Sequence, residues 1–124
     1  MPHKGDLIVI TGGGTGGHIF PALAIADELK SRGFSILYVG GPDSMESRIV
    51  PSRGYDFVPM RSIQVKNKNP FGILLGLFTL AGSCLRAAKL LLHKKPKAVI
   101  GVGGYVSVPV GVASFLTGVP LYLQ

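Results

Sequence analysis

Apolar and polar positions along this chain follow two rhythms, and the changes between them mark its elements. Leu7 to Ile10 is an unbroken aliphatic run ending in glycines, the pattern of a strand buried on both faces. Ala22, Ile25, Ala26 and Leu29 then recur at the spacing of one helix face, opposite Asp27, Glu28, Lys30 and Ser31, with Gly33 as a stop. Residues 35–39 (SILYV) predict a second strand, 44–50 (SMESRIV) a short helix ended by Pro51, and 56–60 (DFVPM) a third strand. A polar link over 61–70 leads into 71–95, an apolar helix candidate that Pro96 brings to an end. Residues 97–104 again run from a strand into glycines, 105–118 predict a helix that tolerates Pro109 only in its first turn, and 119–123 (VPLYL) predict a fifth strand.

Strands alternating with helices imply an α/β fold: a Rossmann-like parallel sheet with helices on both faces, whose ligands bind at the carboxyl ends of the strands. Both glycine clusters fall at such ends. A length of 124 residues, 47% of them hydrophobic, fits one compact domain with a real core. The chain stops on its last strand, which predicts part of something larger; a complete small flavodoxin-like domain is the alternative. The single cysteine, Cys84, sits in an apolar stretch, so it can form no intrachain disulfide and a reducing compartment fits best. The four-residue apolar run before the first glycines is too short for a secretory signal.

Charge divides the chain in two. All six acids lie within the first 56 residues, against five basic residues there, whereas eight basic residues and no acid follow Asp56. The second part therefore favours an anionic partner: phosphate, an acidic membrane surface or nucleic acid. Nucleic acid is the weakest of these, because no reader motif or interleaved exposed aromatics accompany the basic residues.

The first glycine cluster, GGGTGGHIFP (12–21), satisfies G-x-G-x-x-G between a strand and a helix, so bare N–H groups and a helix N-terminus are available to hold a phosphate. No acid follows the second strand until Asp43, which disfavours a nicotinamide cofactor, and His18 stands where a triphosphate-binding loop needs lysine. At a helix start the dipole favours a neutral imidazole, so His18 is a candidate base; a histidine that merely opens the helix or bonds a neighbouring loop is an equal reading. Thr15 serves either as a cap or as a ligand hydroxyl. The second cluster, GVGGYVSVP (101–109), adds Tyr105 and Ser107 at another helix entrance and is either a second phosphate site or a close-packed turn. His3, His18 and His93 are scattered and Cys84 has no partner, so no metal site is arguable and no cofactor is expected.

Phe71, Ile73, Leu74, Leu77, Phe78 and Ala81 are spaced to share a helix face, within fifteen residues, Phe71 to Leu85, that carry no charge. Fifteen are too few to span a bilayer, which takes about 20. A core helix and a segment dipping into an anionic membrane surface both fit, the second because Lys66, Lys68, Arg86 and Lys89 flank the stretch.

GGTGGHIFPALAIADEL (13–29), GPDSMESRIVPSRG (41–54) and VIGVGGYVSVP (99–109) together resemble the N-terminal domain of the MurG family of peptidoglycan glycosyltransferases, in matching order over essentially the whole chain. The resemblance implies the N-terminal half of a two-domain GT-B enzyme that transfers N-acetylglucosamine from UDP-N-acetylglucosamine to undecaprenyl-pyrophosphoryl-N-acetylmuramoyl-pentapeptide, lipid I, giving lipid II at the cytoplasmic face of the cell membrane. By position it implies that Thr15, Gly16 and Gly17 line the donor site and that His18 is the base. Gly14, Gly103, Gly104, Tyr105 and Ser107 would hold the acceptor, and the apolar helix with its basic flank would be a peripheral membrane patch. Residues 1–124 would then form the acceptor and membrane-docking domain, inactive alone, with the donor-binding domain and its acidic–Gln–Asn stretch lying beyond Gln124. Val108 and Val110 depart from the family pattern, which commonly has glycines around that proline. The rival expectation is a non-catalytic, flavodoxin-like module that binds a nucleotide or phosphate.

Overall fold

The computed structural model describes residues 5–12, 16–60, 69–103 and 107–123, the side chains of 16–18 and 107 excepted. In chain order the elements are β1 (Leu7–Thr11), α1 (Gly16–Ser31), β2 (Ser35–Gly40), α2 (Met45–Ser52), β3 (Asp56–Pro59), α3 (Pro70–Lys94), β4 (Ala98–Gly101), α4 (Ser107–Thr117) and β5 (Leu121–Leu123). All four strand pairings are parallel, in the order β3-β2-β1-β4-β5. This is the Rossmann order; a flavodoxin-like sheet would run 2-1-3-4-5, so the flavodoxin-like alternative is corrected.

Period-two alternation sends the strand side chains into two cores. Ile8, Ile10, Ile36 and Tyr38 pack with Ile19, Ala22, Leu23 and Ala26 of α1 and Val50 of α2 on one face. Val9, Leu37, Val39 and Val99 pack with Ala87 and Leu91 of α3 and Val110 and Ala113 of α4 on the other. Right-handed crossovers require this: the chain steps outward from β1 to β3 with helices on one face, then returns across the sheet and places the next helices on the opposite face.

Proline behaviour shows where local rules held. Pro96 follows the Lys95 C-cap of α3, Pro109 falls in the first turn of α4, and Pro59 closes the edge strand β3. Pro51 does not end α2, which continues through it to Ser52. Its missing N–H costs one bond near the helix end, where the Arg53 N–H still closes on the Ile49 and Val50 carbonyls at 3.2 and 3.1 Å. At the other end of α2, Ser44 and Ser47 form a reciprocal capping box.

Candidate functional site

The strand order places a topological switch point between β1 and β4, where the chain's outward and returning halves diverge and open a crevice at the carboxyl edge. Both glycine clusters leave the sheet at this point. β1 ends at Thr11 and is followed by Gly12; β4 ends at Gly101 and is followed by Val102 and Gly103. The Val102 N–H donates to the Thr11 carbonyl at 2.9 Å, and a Cβ added to Gly12 would stand 3.2 Å from Val102 Cβ and 3.3 Å from the Gly103 carbonyl oxygen. The two clusters are therefore in direct contact, and glycine at position 12 is what lets them approach. Gly103 has φ +104°, a backbone conformation that side-chain-bearing residues rarely adopt.

Helices start immediately beyond both strands. Gly16, Gly17 and His18 form the first turn of α1 and Ser107 is the first residue of α4, so both positive helix ends face the switch point. Gly14, Thr15, Gly104 and Tyr105 lie outside the described residues, as do Lys66 and Lys68. Val108 is exposed and Val110 is buried in the second core, so Val110 has a packing role in α4.

Three residues that sequence reading passed over complete this edge. Tyr38 is buried on β2, stacks on Phe57 with ring centroids 6.1 Å apart, and donates its hydroxyl to the Gly12 carbonyl at 2.8 Å. Glu46, in the first turn of α2, is fully buried, and its Oε2 accepts the Gly41 N–H at 3.2 Å. Burial first, and the Glu46 carboxylate second, push the Tyr38 phenol well above the usual tyrosine range, so it remains a donor. Gly40 leaves the room that Glu46 and Phe57 need, because a Cβ there would meet Glu46 Cγ at 2.5 Å and Phe57 Cε2 at 2.9 Å. The available signal was an acid two residues into a predicted helix, one turn beyond a strand that ends in two glycines.

The apolar stretch of α3 is mostly outside the core. Phe71, Phe78 and Leu77 are 70%, 67% and 56% exposed, and Ile73, Leu74, Leu75 and Leu85 are exposed with them. The six positions expected to share a face, from Phe71 to Ala81, are exposed together. Ile73 lies about five turns before Leu91 and on the same side, yet Leu91 is buried and Ile73 exposed. Cover on α3 runs along one stripe, Gly76, Ser83, Ala87 and Leu91; Ile73 lies before that stripe begins, and Phe71, Leu74, Phe78 and Leu85 lie roughly opposite it. Because α3 runs from the carboxyl edge to the start of β4, its first turns lie toward the same edge as the glycine clusters. By length and composition alone α3 reaches what a membrane crossing needs, which the fifteen-residue uncharged stretch did not predict. Ala87 and Leu91 nevertheless anchor its C-terminal half in the second core. Arg86 and Lys89 are exposed on that half.

A parallel sheet in Rossmann order with two glycine-rich strand ends meeting at its switch point defines a doubly wound α/β domain. The sequence profile of the glycosyltransferase family 28 N-terminal domain matches residues 8–124, and the chain belongs to that family. It is 45% identical over 117 residues to the UDP-N-acetylglucosamine–N-acetylmuramyl-(pentapeptide) pyrophosphoryl-undecaprenol N-acetylglucosamine transferase of Bordetella parapertussis, covering 94% of this chain and 33% of that protein. It is 42% identical over 124 residues to the enzyme of the same name from an Acidovorax species, covering all of this chain and 31% of that protein. The crystal structure of Acinetobacter baumannii MurG superposes with a TM-score of 0.82 at 30% identity, over 95% of this chain and 34% of that one. The chain thus spans about a third of the length of the relatives it matches.

Proposed function

We propose that this chain is the acceptor-side domain of a GT-B glycosyltransferase that moves N-acetylglucosamine from UDP-N-acetylglucosamine to lipid I, yielding lipid II, together with a C-terminal donor-binding domain. The observation that carries the proposal is the contact between the two glycine clusters, Gly12 against Val102 and Gly103, beneath two helix N-termini in a family 28 domain. Backbone N–H groups there can take the charge of a pyrophosphate without a side chain, and the aligned dipoles favour it. In this reading Thr15, Gly16 and Gly17 line the donor side, while Gly14, Gly103, Gly104, Tyr105 and Ser107 hold the acceptor's pyrophosphate.

His18 is the base. In the first turn of α1 the helix dipole disfavours imidazolium, so the neutral ring accepts the proton of the acceptor hydroxyl. The freed oxygen attacks the anomeric carbon of the donor sugar, the bond from that carbon to the phosphate oxygen breaks, and UDP leaves with the bonding pair. Exposed apolar residues on the outward face of α3, with Lys66, Lys68, Arg86 and Lys89, dock the domain peripherally on the anionic cytoplasmic face of the cell membrane. Docking from the carboxyl edge lets a lipid-linked acceptor keep its polyprenyl chain in the bilayer while its pyrophosphate reaches the glycines.

Fusing the chain to the C-terminal domain of the Bordetella parapertussis relative and following radiolabelled N-acetylglucosamine into lipid I tests this. Transfer by the chimera, with a loss of about a hundredfold or more for His18→Ala, is the expected result. A folded chimera that transfers nothing, while the intact relative does, rejects the proposal; full activity in His18→Ala rejects the base.

A further inference from the structure

The meeting point of the two glycine clusters is held from behind by a side chain outside the roles assigned above. Gly12 has no side chain with which to fix its own height, and it opens a stretch rich in glycine, the residue with most freedom to lose. The fixed object within reach is Tyr38. Its ring is clamped between the first core and Phe57, and its hydroxyl lies both in hydrogen-bond contact with the Gly12 carbonyl and 3.7 Å from where a Gly12 Cβ would stand. Behind the ring, Glu46 ties the β2–α2 turn through the Gly41 N–H, so the strand end that carries Tyr38 is itself latched.

We propose that Tyr38 is a positioning residue for the transfer reaction: its hydrogen bond to the Gly12 carbonyl fixes the first glycine cluster against the second and so aligns the start of α1, with His18, on the bound substrate. The consequence for turnover rests on the transferase reading above; the consequence for the backbone does not. A phenol suits this task because it reaches across from β2 without occupying the crevice, and because its bond to a carbonyl requires only that it remain protonated.

Tyr38→Phe keeps the ring and its stacking and removes the donor alone. In the 124-residue chain, amide hydrogen exchange between Gly12 and His18 and at Val102 and Gly103 is expected to accelerate about tenfold, the ratio that one buried hydrogen bond commands. Amides of β3 and of the C-terminal half of α3 should keep their parental rates. Tyr55→Phe is the control: it removes a hydroxyl that donates to Asp27, far along α1 from the glycines, and should leave their exchange unchanged. Unaltered exchange at the glycines, or acceleration spread evenly over the domain, overturns the inference whatever the enzyme does. In the chimera, Tyr38→Phe is expected to lower kcat about tenfold with the KM for UDP-N-acetylglucosamine within about twofold. A parental kcat in an active chimera overturns the positioning role and leaves the transferase reading standing, since the parent chimera's own transfer reports on that reading.

Discussion

Gly40→Ala adds one methyl group at the tightest point of the carboxyl edge, and its effect can be worked from the contacts. The new Cβ would stand 2.5 Å from Glu46 Cγ and 2.9 Å from Phe57 Cε2, distances at which something must move. Neither neighbour yields cheaply. Glu46 is fully buried with its carboxylate on the Gly41 N–H, and Phe57 is held against Tyr38. Overpacking of this kind costs about 1–3 kcal/mol, and the reduced freedom of the unfolded chain returns about 0.4–1 kcal/mol, leaving a net loss of about 1–2 kcal/mol. Unfolding entropy of about 2.1 cal/mol/K per residue over 124 residues makes 1 kcal/mol worth about 4 °C, so Tm should fall by about 4–8 °C. Scanning calorimetry of the purified chain reads this directly. Combining Gly40→Ala with Glu46→Ala removes one of the two clashing atoms, so the two costs should fall short of additivity by more than about 0.5 kcal/mol. A Gly40→Ala chain as stable as its parent would refute the packing argument, and strictly additive costs would refute the role of Glu46 in it.

Other outcomes follow from the same contacts. Tyr55, buried and hydrogen-bonded to Asp27, has its pKa pushed up to about 12 from 10, first by burial and then by Asp27, with Arg53 opposing. The folded state thus holds that proton more tightly than the unfolded chain, so its contribution is complete below pH 10 and is lost as pH rises toward 12. Urea midpoints measured across this window should decline less steeply in Tyr55→Phe than in the parent, and an identical slope would contradict the assignment. Leu77→Asp, on the exposed face of α3, should leave Tm unchanged yet weaken binding to anionic vesicles by about tenfold or more, the contribution of one buried leucine side chain. Co-sedimentation at low and high salt checks it, and parental binding would remove this face of α3 from the docking surface. Leu91→Ala should cost about 2–5 kcal/mol because Leu91 is 1% exposed, while Leu92→Ala beside it should stay within about 0.5 kcal/mol. Urea unfolding that showed equal costs would contradict the anchoring of α3.

Much of the fold was legible because its signals are local. A strand buried on both faces must be aliphatic throughout, and a helix must repeat near 3.6 residues, so all nine elements could be read within a few residues of their observed ends. Pro51 was misread because proline is penalised for the hydrogen bond it removes, and near the end of α2 few remain to lose. The glycine clusters marked two strand ends through composition alone, and both fall at the carboxyl edge. Tyr38 announced nothing, and Glu46 offered only its place just after two glycines, since a tyrosine in a strand and a glutamate early in a helix are ordinary where they stand.

The order of elements, the parallel sheet and the division of charge were thus properties of the chain read residue by residue. Their arrangement around a site was not. That β1 lies beside β4 depends on the handedness of crossovers and on which hydrophobic faces find cover, neither of which a strand's own pattern encodes. That ordering brings Gly12 onto Gly103, across more than 90 residues, and brings the Tyr38 hydroxyl to a carbonyl 26 residues away. It also separates the two faces of α3. A helix that is apolar nearly all round does not record which side will be covered, and only the packing of its neighbours decides that the stripe of Gly76, Ser83, Ala87 and Leu91 is buried while Phe71, Leu74, Phe78 and Leu85 face outward.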